Sequence, residues 1–293
     1  MKKALSLFLM ILLPVLPVLA SGNGKPAYKL YTSGGKEISY QKMTRSLLEA
    51  KIVFFGELHD NPIAHWLQYE LTLDMYQKHG RELVIGGEMF ETDDQLLLDE
   101  YISGIISVDK FEKEAKIWPN YSTDYRPIVD FARENDISFV ATNIPRRYAA
   151  LVSKKGFDGL EELSDEAKKL IAPLPIEYDP ELPGYKGMLE MHHHGMPSDK
   201  MLNFPKAQAL KDATMAYSII QNLKKEQVML HFNGTYHTQN YEGIVWYVQQ
   251  LSDIQNIKTI ATVEQGNIEM LSEEYQGIAD FILVVPNTMT KTH

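Results

Sequence analysis

Ile52-Val53-Phe54-Phe55-Gly56-Glu57-Leu58-His59-Asp60-Asn61-Pro62 decides how this chain is read. Four apolar residues rich in β-branched and aromatic types suit a short strand covered on both faces. The run stops at a glycine, where the backbone is expected to turn sharply. A cluster of polar side chains follows, and then a cap residue with proline at a first helical position. The order is therefore strand, polar strand end, helix, the unit from which parallel sheets are built. The helix runs to about His79, with Trp66, Tyr69, Leu73 and Tyr76 as its apolar stripe.

The same device recurs. Gly234-Thr235-Tyr236-His237 repeats the pattern Gly-x-x-His of Gly56–His59 and follows a second apolar run, Val228–Phe232. A third run, Leu83-Val84-Ile85, leads into Gly86-Gly87-Glu88-Met89-Phe90. Further strands are expected over 137–142, 258–263 and 281–285. Helices are expected over 93–103, 125–135, from Pro145 through Val152, and over 206–224. Alternation of this kind predicts an α/β fold: one domain with a mainly parallel central sheet flanked by helices. Between 172 and 204, closely spaced prolines and glycines surrounding His192-His193-His194 read as a long loop or lid.

Composition sets the limits. Lys2-Lys3, an apolar stretch from Ala4 to Leu19 and small residues up to Ala20 read as a signal peptide over 1–20, leaving one domain over 21–293. The mature chain is then exported. The chain has no cysteine, which excludes disulfides, thiolate metal sites, cysteine nucleophiles and a lipid anchored through cysteine. A formal charge of −10 disfavours nucleic acid as a partner.

Parallel strands bring their C-terminal ends to one crevice, where open α/β sheets bind ligands. There His59, Glu88 and His237 make a three-ligand set for zinc, manganese or cobalt, with Glu57 as the catalytic base that takes a proton from bound water. The alternative is that these side chains hydrogen-bond loop carbonyls and cap helices, as Asp60 is expected to do. His192, His193 and His194 form a second candidate, as imidazole donors to an iron or partners for its carboxylates, or simply as solvated loop residues. Arg146-Arg147 at a helix start suggests an anion contact, since the helix dipole does not favour cations there.

The strings Phe54–Asn61, Gly87–Phe90, Asn143–Arg146, Ala207-Gln208-Ala209 with Asp212–Ala216, and Asn233–His237 resemble, in this order, the ChaN-like haem-binding uptake family. That family belongs to the Tiki, TraB and erythromycin-esterase superfamily. The resemblance runs from about Lys51 to Val285. It implies an exported protein of haem and iron uptake that binds haem and is not an enzyme, working with outer-membrane uptake machinery from the periplasm or the membrane surface. It also implies a haem-dependent homodimer with haem at the interface, iron held by a tyrosine of one protomer, and His and Lys of the other meeting the propionates. Tyr178, Tyr185 and Tyr236 are the candidate tyrosines. Absence of cysteine departs from the lipoprotein form. More distant members of the superfamily imply the alternative, a divalent-metal hydrolase of peptide or ester bonds built on His59, Glu88, His237 and Glu57.

Overall fold

The computed structural model describes residues 24–191 and 198–293. The expected signal peptide and His192, His193 and His194 lie outside the described residues. The strands are β1 (Lys29–Thr32), β2 (Ile52–Glu57), β3 (Leu83–Glu91), β4 (Ser138–Asn143), β5 (Val228–Gly234), β6 (Ile257–Gln265) and β7 (Phe281–Pro286). They form one sheet in the order β1-β7-β6-β2-β5-β3-β4, with β1 antiparallel to β7 and the other pairs parallel. The α/β expectation is met.

Helices α1 (Tyr40–Leu47), α2 (Pro62–His79), α3 (Gln95–Ile102), α4 (Val108–Glu114) and α5 (Arg126–Glu134) occupy the first half. They are followed by α6 (Arg146–Lys155), α7 (Asp165–Lys168), α8 (Pro183–Met191), α9 (Ser198–Asn222) and α10 (Ile244–Leu251). Alternation along β2 shows how the sheet is covered. Val53 and Phe55 join a core with Leu67, Leu71 and Val129, whereas Ile52 and Phe54 pack with Ala216, Ile219 and Val248. Successive side chains point to opposite faces, so α2 and α5 cover one face and α9 and α10 the other. None of the described helices is long and apolar enough to cross a membrane.

Three local expectations are corrected. Helix α2 buries Ala64, Leu67, Leu71 and Met75 toward the sheet, while Trp66 is exposed and Tyr69 and Tyr76 meet Phe131 of α5 edge-on. Large aromatics mark the flank of this helix, and smaller side chains fit its close approach to the strands. The cap of α2 is Asn61, whose side-chain oxygen accepts from Ile63 N and Ala64 N, both at 3.1 Å. Asp60 instead pairs with Lys291. The segment 172–204 is partly helical: α8 starts on Pro183, because proline suits a first helical position, and α9 runs through Pro205.

Strand order places the crevice. From β2 the chain proceeds to β3 and β4 on one side, returns through β5 between β2 and β3, and then crosses to β6 and β7 on the other. Glu57 lies opposite Gly234, so the two Gly-x-x-His strings leave adjacent strands side by side.

Candidate functional site

The glycines make room rather than turns. Gly234 ends β5 with φ −58° and ψ 139°, a conformation open to any residue. A Cβ there would sit 2.8 Å from His59 Nε2 and 3.0 Å from its Cε1. At Gly56 a Cβ would meet Ile260 O and Thr235 Cα, each at 2.8 Å. Each string's glycine thus vacates the space that the other string occupies.

His59 is held from behind. Its Nδ1 donates to Glu57 Oε1 at 2.8 Å, and its ring stands edge-on to Trp118 with centroids 4.8 Å apart. Glu57 is 2% exposed and also accepts from Tyr125 OH at 2.6 Å and from the Gln68 amide. Burial raises this carboxyl's pKa, but the facing imidazoles of His59 and His65 and the Tyr125 hydroxyl outweigh it and hold it low. Burial lowers the pKa of His59, and Glu57 and Glu88 reverse that, raising it overall. A carboxylate this fully engaged orients His59 and is not a free base. The His59 side chain remains 41% exposed.

Support continues inward. His65 Nε2 meets His59 O at 3.0 Å, and Asn120 donates to that carbonyl at 2.8 Å and to Asp124 Oδ2 at 2.7 Å. Tyr125 reaches Glu57 from a single π-helical turn, Tyr121–Tyr125, just before α5. Such turns often aim a side chain at a site.

Glu88 and His237 form the second part. Glu88 Oε2 accepts from Gly234 N at 2.8 Å, and Oε1 accepts from His237 Nε2 at 3.1 Å. His237 Nδ1 donates to Asp212 Oδ1 on α9, and Asp212 Oδ2 accepts from Tyr185 OH at 2.7 Å. Burial pulls the His237 pKa down, but two facing carboxylates push it up to about 10, so the ring is an imidazolium. Burial likewise opposes ionisation of Glu88, yet His237 and the Gly234 amide hold its pKa well below the carboxylate range. Burial raises that of Asp212.

His59, Glu88 and His237 therefore come together, as the strand pattern predicts, but not as a metal cage. Both ring nitrogens of His237 face carboxylates, and His59 Nδ1 faces Glu57. Among the described residues no group of three or more His, Asp or Glu could hold a metal ion. The donor set does not fit the expected zinc, manganese or cobalt.

His59 is shared by two hollows. One, of about 720 Å³, is also lined by Leu58, Tyr236, Val263 and Tyr275; the other, of about 490 Å³, by Glu88, Trp118, Arg146 and Lys211. Both lie within the size range of small-molecule sites. Of the sequence-derived tyrosines, Tyr236 lines the larger cleft and donates to Gly184 O at 2.6 Å. Tyr185 is buried on Asp212, and Tyr178 packs between Phe157 and Tyr185. Arg146 pairs with Glu91, and Arg147 with Asp93.

Sequence reasoning missed Tyr275, whose hydroxyl has no hydrogen-bond partner among the described residues, and Tyr125 and Gln68, and it gave no role to Asp212, which stands in one of the strings that carry the family resemblance. Asp212 and Gln68 occupy helices in which apolar spacing masks a polar role. Tyr275 follows Glu273-Glu274 in a segment with no motif.

A sheet of this order with a ligand-sized crevice at its strand ends defines an α/β binding or catalytic domain of the doubly flanked kind. The family described as haem-binding uptake, Tiki superfamily, ChaN, matches residues 43–248, and the chain belongs to that family. The fold is similar to that of Campylobacter jejuni ChaN, a structure with cofacial haem, with TM-score 0.67, 17% identity, and coverage of 88% of this chain and 96% of that one. A Bacillus cereus protein is similar with TM-score 0.52 and 10% identity over 84% of this chain and 90% of its own. RETICULATA-RELATED 5, a chloroplastic protein of Arabidopsis thaliana, is 24% identical over 139 residues, 45% of this chain. The chain spans only 18% of the length of that curated relative.

Proposed function

We propose that this chain is an exported haem-binding protein of haem and iron uptake, holding haem in the strand-end cleft against His59. The observation that carries this reading, beside membership of the family, is the donor set on one cleft. A half-exposed imidazole and a phenol, Tyr275, with no hydrogen-bond partner among the described residues open on about 720 Å³ beside the apolar side chains of Leu58 and Val263. That set fits haem, which requires an axial donor and an apolar slot for the porphyrin. His59, Tyr236 and Tyr275 are the donors that would reach it, and haem would bring the iron that the protein carries.

On this reading Glu57, Gln68, Tyr125 and His65 fix the direction of His59. Residues 1–20 serve as the signal peptide, and the protein works in the periplasm or at the outer membrane beside uptake machinery. Haem lies at the interface of a homodimer. The metal-hydrolase alternative finds no support in a His237 ring enclosed by two carboxylates. Titrating the mature chain with haemin, while following absorption and elution volume in the same samples, tests the reading. A saturable Soret shift with an elution change to twice the mass is expected; a shift that never saturates would overturn haem binding, and saturation without an elution change would overturn the dimer.

A further inference from the structure

The two hollows have two lining residues in common, His59 and His293. The second arrives from far along the chain. After β7 ends at Pro286 the backbone makes one turn and then runs without regular structure past the C-terminal ends of β6 and β2. A segment of this kind loses conformational entropy by staying in place, and it stays only where it is tied.

The ties are present at both ends. Asn287 N donates to Gln265 O at 3.2 Å, and Thr292 N donates to Asp60 O at 2.9 Å. Thr292 Oγ1 donates to Asp124 Oδ2 at 2.7 Å, and Lys291 pairs with Asp60 at 3.2 Å and with Glu264. These partners belong to the support of His59. Asp60 follows it in the chain, and Asp124 Oδ2 also accepts from Asn120 and meets His65 Nε2 at 3.3 Å. Asn120 and His65 in turn hold the His59 carbonyl. One framework therefore fixes both imidazoles at the junction of the hollows.

The His293 side chain is exposed and makes no hydrogen bond or ion pair among the described residues. Unlike an ammonium or a guanidinium, an imidazole offers a nitrogen lone pair, and an iron porphyrin is a ligand that uses one. We infer that residues 287–293 are a strap that completes the site, and that His293 supplies a nitrogen donor, besides His59, to the iron of the bound porphyrin. The inference rests on the haem reading, which supplies that iron. Lys291 and Thr292 are positioning residues: they act on the ligand through His293. The strap lies beyond residues 43–248, the part that matches the family.

The test compares haemin with protoporphyrin IX, which has the same ring and acid groups but no iron. His293→Ala should shift the Soret band of bound haemin and weaken its binding about tenfold or more, with protoporphyrin IX binding kept within about twofold. Added imidazole should bring the band back. Untying the strap with Lys291→Ala and Thr292→Val together should give the same loss, and adding His293→Ala to that pair should cost little more, because the donor has already left. Asp124 keeps Asn120 and His65 as partners, so each variant should retain a cooperative urea transition. An unchanged spectrum and affinity for haemin in His293→Ala, or an equal loss for both porphyrins, would overturn the donor role and leave haem binding intact. Full haemin binding by the untied variant would overturn the strap. Failure of the unaltered chain to bind haemin saturably would overturn the haem reading and the donor role with it.

Discussion

Adding one methyl group at each of the two motif glycines should give opposite outcomes. Alanine at Gly56 forces a Cβ to within 2.8 Å of Ile260 O and Thr235 Cα, both backbone atoms of neighbouring segments. Neither can move without displacing a strand or the second motif. Overpacking of a rigid core costs about 1 to 3 kcal/mol, and a clash with backbone on two sides belongs at the upper end, about 3 kcal/mol. Alanine at Gly234 crowds the tip of the His59 ring, at 2.8 Å from Nε2, and meets Glu88 Oε2 at an ordinary 3.6 Å, and the His59 side chain can swing toward solvent. The cost in stability is then about 1 kcal/mol, but His59 is pushed off Glu57 and out of the cleft.

Urea unfolding separates the two. With a slope of about 3 kcal/mol/M, Gly56→Ala lowers the midpoint by about 1 M and Gly234→Ala by about a third of that. Haemin titration reverses the order, with Gly234→Ala weakening binding more per unit of stability lost. Equal midpoint losses, or haemin affinity untouched by Gly234→Ala, would refute the idea that each glycine makes room for the other motif.

Asp212→Ala should be severe, because it leaves the His237 imidazolium and the Tyr185 hydroxyl buried without that partner. A loss of about 3 to 5 kcal/mol is expected from the urea midpoint, and a loss below 1 kcal/mol would show that His237 is not charged there. The pH dependence of stability should carry the mark of His231, which is buried in β5 between Asn233 Oδ1 at 3.1 Å and Thr142 Oγ1 at 2.8 Å. Burial lowers its pKa to about 4, below the 6.5 of an unfolded imidazole, so the unfolded chain takes up the proton first as pH falls. Its contribution is complete above about pH 6.5 and falls by about 3 kcal/mol as pH drops toward 4. His231→Gln should flatten that part of the profile; an unchanged slope would count against a neutral buried ring.

Much of the sheet was legible because its central strands are covered on both faces and therefore read as continuous apolar runs. The edge strand β1, Lys29–Thr32, was not, since four residues of mixed burial carry too short a pattern. Pro183 marked a loop in the sequence and a helix start in the fold. Proline is compatible with both, and only the residues after it decide. In the site, the repeated Gly-x-x-His gave His59 and His237 and their shared crevice, because strand ends of one parallel sheet must gather. It did not give the function of the glycines, which depends on what approaches from the neighbouring strand. Nor could it give Asp212 and Tyr125, whose partners are 25 and 68 residues away in the chain. Those contacts turned the expected metal ligands into a chain of ion pairs.

The most direct test of haem held against His59 is a side-by-side haemin titration of the unaltered chain and His59→Ala, with the Soret band and the urea midpoint read on both. The account predicts a saturable band for the unaltered chain, and a shifted band or at least tenfold weaker binding for His59→Ala, with a cooperative midpoint retained because Glu57 keeps Tyr125 and Gln68 as partners. Identical spectra and affinities for the two proteins would contradict it.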